Sequence, residues 1–296
     1  MTKKIKIMTT DSGLGGLSIT AELVERIKRE KPFDEAEIIF FNCRPSNESG
    51  YDQLGSNEAR ARVFSRALYA MYEKFKPDVI MIACNTLSAI YEMCEFSKFP
   101  PVAVIGIIED GVEKNFKLLS AKPEIQMIMF GTPTTVSSGA HKNILIGKGI
   151  ASERLHYQDC LSLPAVISRG AESDEVKNMV ESFMRSGATK TKGQTFGISL
   201  LCTHFAYSLS VFSESAREFE KFSGDIINPN SAMVDSFLKN YGSGKAAHAK
   251  TTVKCCTHTK ISSEIRQAMF PILGKISSDT AQAFLNMLDT PDMFSI

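Results

Sequence analysis

The chain has 296 residues, 43% of them hydrophobic and 23% charged, with a formal net charge of +1. That length suits two compact units better than one, and the composition suits a folded protein with a buried core. It carries no basic field or like-charge block to attract nucleic acid, and no apolar run long enough for an export signal or a membrane span, so a cytoplasmic protein without nucleic-acid or membrane partners is expected.

Short β-branched runs alternate with helical patterns along the chain, which predicts an α/β fold with mainly parallel sheets. Strands are expected over 5–10, 37–42, 79–83, 102–106, 125–130, 153–158, 196–201, 225–228 and 252–256. Helices are expected over Leu17–Arg29, Asn57–Lys76, Leu87–Glu95, Thr135–Leu145, Asp174–Arg185, His204–Phe222 and Ala232–Leu238. The stretches 186–194 and 242–251 read as surface loops.

The first strand runs into DSGLGGLS, and 73 residues after Asp11 another ends at Cys84 in ACNT. In the second half a strand ends at Gly131 in GTPTTVSSG, and 71 residues later one ends at Cys202 in LCTH. Each half thus pairs a glycine-and-hydroxyl loop with a cysteine loop. Ligands of parallel α/β sheets bind beyond the carboxyl ends of strands. Two pseudo-symmetric lobes with an active site in the cleft between them are therefore expected, the first comprising residues 1–110 and 229–296 and the second 111–228.

Cys84 is expected at a strand-to-helix junction, where helix amides favour a thiolate, with Asn85 and Thr86 beside it as hydrogen-bonding groups. The competing reading is a buried cysteine with Thr86 capping the next helix. Cys202 has His204 two residues on, able to exchange a proton with it. Asp11 and Ser12 lie on a turn that glycines keep free of bulk. Gly13, Gly15 and Gly16 do not fit the dinucleotide pattern GxGxxG, and the phosphate-binding pattern GxxxxGK[ST] is absent. Of the hydroxyls Thr132, Thr134, Thr135, Ser137 and Ser138, one is expected to cap a helix and the others to meet a carboxylate.

Seven cysteines at irregular spacing, with no CxxC pair, read as reduced thiols. Cys43, Cys94, Cys160 and the Cys255-Cys256-Thr257-His258 string are expected to be structural, and no metal-ligand spacing is present. His141, His156 and His248 are expected at the surface or as capping groups.

Two thiols on opposite faces of one carbon suit inversion by proton transfer, one acting as base and the other as acid. The motifs DSGLGGLS, ACNT, GTPTTVSSGAH and LCTHF, in this order and spacing, resemble those of glutamate racemase in the aspartate/glutamate racemase superfamily, as does PPVAVIGIIEDGV between them. The resemblance covers most of the chain. It implies two α/β lobes, no cofactor, no metal, and interconversion of L- and D-glutamate for peptidoglycan precursors, and it leaves a homodimer open. Carried over by position, Cys84 and Cys202 match the catalytic cysteines, Asp11 and His204 the residues assisting them, and Ser12, Asn85, Thr86, Thr135 and Thr203 the substrate-binding positions.

The chain departs from the family at three places. The Pro-Tyr-Gly turn after the second strand is replaced by NCRPSNESGYDQLG, where Arg44 offers a guanidinium able to grip a carboxylate. Ile167 and Ser168 stand where an acidic residue is expected after Cys160, and NPNSA at 228–232 replaces an acidic version. The readings that stay open are glutamate first, aspartate second, another small carboxylate or a hydantoin on the same fold, and a metabolite-binding paralogue that no longer catalyses.

Overall fold

The structure, a computed structural model, describes residues 3–242, 244–247 and 249–296. The chain divides into two units, one comprising residues up to Ile107 together with Met233–Ile296, the other Ile108–Ala232. Each is a wholly parallel sheet with helices, the α/β architecture read from the sequence.

In the first unit β1 (Lys4–Asp11), β2 (Glu35–Asn42), β3 (Val79–Ile82) and β4 (Ala103–Gly106) are joined by α1 (Leu17–Glu30), α2 (Asn57–Phe75) and α3 (Asn85–Ile90). In the second, α4 (Ile108–Ala121) leads to β5 (Gln126–Gly131), followed by α5 (Pro133–Ser138), α6 (Ala140–Gly147), β6 (Leu155–Asp159), α7 (Leu163–Arg169), α8 (Asp174–Lys190), β7 (Phe196–Leu201), α9 (Leu209–Arg217) and β8 (Phe222–Ile227). The chain then runs through α10 (Asn230–Tyr241) back into the first unit, which β9 (Lys250–Thr257), α11 (Ser263–Gly274), α12 (Ser278–Leu285) and the two-residue β10 (Leu288–Asp289) complete.

Strand order in the first unit is β10-β9-β2-β1-β3-β4, and in the second β6-β5-β7-β8. Both sheets reverse direction at their first strand. From β1 the chain winds outward to β2 and later returns to place β3 on the other side; from β5 it goes to β6 and later places β7 opposite. Reversal leaves a crevice beyond the carboxyl ends of the two strands, because their following loops diverge to opposite faces. The crevices lie at the ends of β1 and β3 in one unit and of β5 and β7 in the other.

Alternation along the strands of the first unit supplies two cores. Met8, Ile39, Phe41, Ile80 and Ile82 face Phe64, Leu68 and Met71 of α2. Ile7, Ile38, Val79 and Met81 face Ile19, Leu23 and Ile27 of α1 and Met233 and Phe237 of α10. Caps set many helix starts: Ser56, Ser173, Ser262 and Ser277 accept the backbone N–H groups of Ala59, Val176, Ile265 and Thr280.

Several boundaries differ from expectation. The single helix over Thr135–Leu145 is two, broken where Gly139 takes φ 64°. The helix over Leu87–Glu95 starts earlier and ends at Ile90, and the one over His204–Phe222 begins as a 3-10 turn and stops at Arg217. Helix α8 runs on through Lys190, into the stretch read as loop. Helices α4, α7, α11 and α12 were not expected; Gly111 inside α4 and Pro271 inside α11 obscure the helical pattern of two of them. Among the described residues no helix is long and apolar enough to cross a membrane.

Candidate active site

In the first unit, Asp11 ends β1 and Cys84 follows β3, placing both at the crevice. Cys84 is the residue before α3, extended at φ −144° and ψ 122°. Its Sγ lies 3.2 Å from Ser12 Oγ. Asp11 Oδ1 accepts the Gly13 N–H at 2.9 Å, folding the turn back over the carboxylate. Gly16 is required there: a Cβ on it would stand 2.9 Å from Asp11 Cβ, 3.1 Å from Asp11 Oδ2 and 3.1 Å from Ala83 Cβ. Asn85 and Thr86 are buried in the first turn of α3. Cys43, after β2, donates both its N–H (2.9 Å) and its thiol (3.2 Å) to the Asp11 carbonyl.

The second unit repeats the arrangement. Cys202 follows β7, extended at φ −145° and ψ 130°, close to the Cys84 values. Its Sγ is 3.8 Å from His204 Nδ1, and Thr203 opens the following 3-10 turn. After β5, Thr132 caps α5 by accepting the Thr135 N–H, and its hydroxyl donates to Thr135 Oγ1 at 3.1 Å. Ser137 and Ser138 turn their hydroxyls back to the carbonyls of Thr134 and Thr135. Thr134 and Thr135 are both buried. Asn230, met in the sequence only within a departure from the family, donates from Nδ2 to the Thr203 carbonyl at 3.3 Å and so braces the Cys202 loop. Only the neighbourhood of the ends of β7 and β8 reveals it, so no local pattern could have singled it out.

Electrostatics correct one expectation. Burial, and after it the Asp11 charge, push the Cys84 thiol up to about 12, while the Ser12 hydroxyl and the N–H groups of Ser12 and Leu87 pull the other way. A six-residue helix does not offset that desolvation, so Cys84 rests as the thiol, not the thiolate. Burial also raises Cys94 to about 12 and holds Cys43, Cys160 and Cys255 high, as packing thiols. His204 is lowered by burial to about 4, so its imidazole rests neutral.

The other histidines are placed differently from one another. His141 is buried, not at the surface: it sits on the inner face of α6 with Leu145, and burial lowers it to about 4. His156 is half-buried in β6, its Nε2 2.5 Å from Gln126 Oε1. His248 lies outside the described residues. His258 is buried and stacks on Phe294 at 3.9 Å, while Thr257 Oγ1 accepts the Asn42 amide at 3.0 Å. Among the described residues no group of three or more His, Cys, Asp and Glu side chains could hold a metal ion.

Two buried histidines of the second unit, His141 and His204, carry a pH signature. Their folded values lie below the ordinary value of 6.5, so the unfolded chain takes up protons first as pH falls. Stability from this source is complete above about pH 6.5 and is lost as pH drops toward 4, by up to roughly 3 kcal/mol per histidine. Urea midpoints at pH 7 and 4.5 should therefore differ less in His141→Gln than in the parent. An unchanged difference would show that His141 titrates normally in the fold.

No protein-family model matches the chain. It is 25% identical over 249 residues to a glutamate racemase of Campylobacter curvus, covering 83% of this chain and 86% of that one. To the glutamate racemase of Campylobacter jejuni it is 28% identical over 240 residues, covering 79% and 85%. A glutamate racemase isoform of Bacillus anthracis superposes with a TM-score of 0.69 at 19% identity, covering 91% and 94%. The chain has the glutamate racemase fold. The enzyme of that name from Francisella tularensis, solved in complex with D-glutamate, superposes with a TM-score of 0.66 at 19% identity, covering 91% and 94%. The resemblance read from four short motifs thus extends over most of the chain and to known amino-acid racemases.

Proposed function

We propose that this chain is a cofactor-independent amino-acid racemase, acting on an acidic amino acid and on glutamate first, by proton transfer between Cys84 and Cys202. One observation carries the reading: each sheet ends a strand at its reversal crevice in a buried cysteine of the same extended backbone, with a proton-handling side chain beside it.

The chemistry follows from balancing protons. One sulfur, as thiolate, takes the Cα proton, so a C–H bond breaks and an S–H bond forms. The other, as thiol on the opposite face, gives its proton to the planar carbanion, and the enantiomer results. The two sulfurs have then exchanged roles, and the reverse reaction runs the same way. The reaction needs one thiolate, and Cys84 rests protonated. Asp11, whose charge raises the thiol at rest, matches by position the family's residue that assists the first cysteine, and the donors of Ser12 and Leu87 stabilise the anion once formed. Neutral His204 has the matching part for Cys202. Asn85, Thr86, Thr135 and Thr203 supply the hydrogen bonds that hold the substrate's charged ends. In the cell, D-glutamate made this way would enter peptidoglycan precursors.

The test is incubation with L-glutamate, L-aspartate and a panel of other amino acids in heavy water, without added cofactor. Inversion of glutamate with deuterium gained at Cα is the expected result. Preference for another amino acid would keep the fold's chemistry and change the substrate. No exchange with any amino acid would leave a metabolite-binding protein in place of an enzyme.

A further inference from the structure

The two units match at a further pair of cysteines. Cys43 directly follows β2, the strand beside β1, and Cys160 directly follows β6, the strand beside β5. Each donates its backbone N–H, at 2.9 Å, to the carbonyl of the residue that ends the neighbouring strand, Asp11 in the first unit and Gly131 in the second. Both side chains are buried. They part at the sulfur. The Cys43 thiol donates to the same Asp11 carbonyl at 3.2 Å, whereas the Cys160 thiol turns to the Gln158 carbonyl at 3.7 Å. The extra bond goes to the strand end that carries an acidic side chain, and not to the one that is glycine.

The carbonyl so gripped belongs to the peptide joining Asp11 to Ser12, and the Ser12 hydroxyl lies 3.2 Å from Cys84 Sγ. A single donor leaves a peptide plane free to tilt about the bond, and a second donor removes much of that freedom. Any tilt here would carry the Asp11 carboxylate and the Ser12 hydroxyl with it. On its other side the turn is held by the Gly13 N–H, which donates to Asp11 Oδ1 at 2.9 Å. The Cys43 side chain has little room to leave its place. It shares a buried cluster with Tyr51 and Phe64, whose rings meet edge-on at 6.1 Å, and Arg60 anchors the Tyr51 carbonyl at 2.8 Å.

We propose that Cys43 is a positioning residue, its thiol fixing the peptide between Asp11 and Ser12 and through it the two side chains that stand beside Cys84. The proposal rests on the racemase reading above. Cys43 touches no substrate in this scheme, and Cys160, at the matching place of the second unit, has a packing role alone.

Steady-state racemisation by Cys43→Ala, Cys43→Ser and Cys160→Ala tests this, with thermal melts confirming that each variant folds. In Cys43→Ala, kcat should fall about 10-fold and KM change much less, because the groups that serve the sulfur are displaced. Cys43→Ser keeps a donor at the same place and should recover to within about threefold of the parent. Cys160→Ala loses a buried thiol of the same kind and should keep the parental kcat. Parental kcat in Cys43→Ala would overturn the proposal. So would equal losses in Cys43→Ala and Cys160→Ala, or a Cys43→Ser no better than Cys43→Ala, since either makes the effect one of packing. Alkylation of Cys84 by iodoacetamide at about pH 8, located by mass spectrometry, needs no turnover. Its rate should change about threefold or more in Cys43→Ala and hold in Cys160→Ala, because the charge and the hydroxyl that set the thiol both hang from the gripped peptide. A parent protein that exchanges no amino acid would end the racemase reading, and the alkylation rates would still decide whether Cys43 sets the surroundings of Cys84.

Discussion

Cys84→Ser and Cys202→Ser each lose racemisation in both directions by roughly 10³-fold or more, because a serine hydroxyl at neutral pH is neither an adequate base nor an adequate acid toward a carbon-bound proton. The substitution changes one atom in a buried site and leaves the backbone undisturbed, so the melting temperature should change little. The more informative readout is Cα deuteration without inversion. With one sulfur removed, the other still faces one enantiomer and can exchange its proton with solvent. The two variants should differ in this residual exchange, since Cys84 rests high beside a carboxylate and Cys202 rests beside a neutral imidazole. Normal turnover by either variant would exclude the two-base scheme. Equal one-sided exchange would count against separate roles for Asp11 and His204.

Gly16→Ala should lower kcat on the order of 100-fold with the fold retained. Its backbone, at φ −63° and ψ −13°, is ordinary for any residue, so no conformational strain enters. The cost is steric and local. The new Cβ would stand 2.9 Å from Asp11 Cβ, 3.1 Å from Asp11 Oδ2 and 3.1 Å from Ala83 Cβ, too close for Asp11 to stay where it is. Displacing a catalytic group by about 1 Å can cost on the order of 100-fold in rate. Gly50→Ala is the matched control: a Cβ at Gly50 meets nothing within 4 Å. Steady-state rates for both variants, alongside their thermal melts, decide the matter. A Gly16→Ala protein with parental kcat would show that the Asp11 position does not limit the reaction.

The sequence by itself determined the α/β class, the order of the main strands and helices and the positions of the four glycine-hydroxyl and cysteine loops, because these are local: side-chain period marks an element, and glycines and hydroxyls mark where it ends. Both cysteines could be placed at strand ends on that ground alone. What tertiary structure decided is which strands are neighbours. That depends on pairing between residues far apart in the chain, and it alone puts Asp11 beside Cys84 and Asn230 beside the Cys202 loop. It also decided protonation. Helix amides in sequence suggested an anionic Cys84, and His141 was expected at the surface or as a cap, yet burial, a property of packing that no short motif records, holds Cys84 as the thiol and His141 as the neutral imidazole.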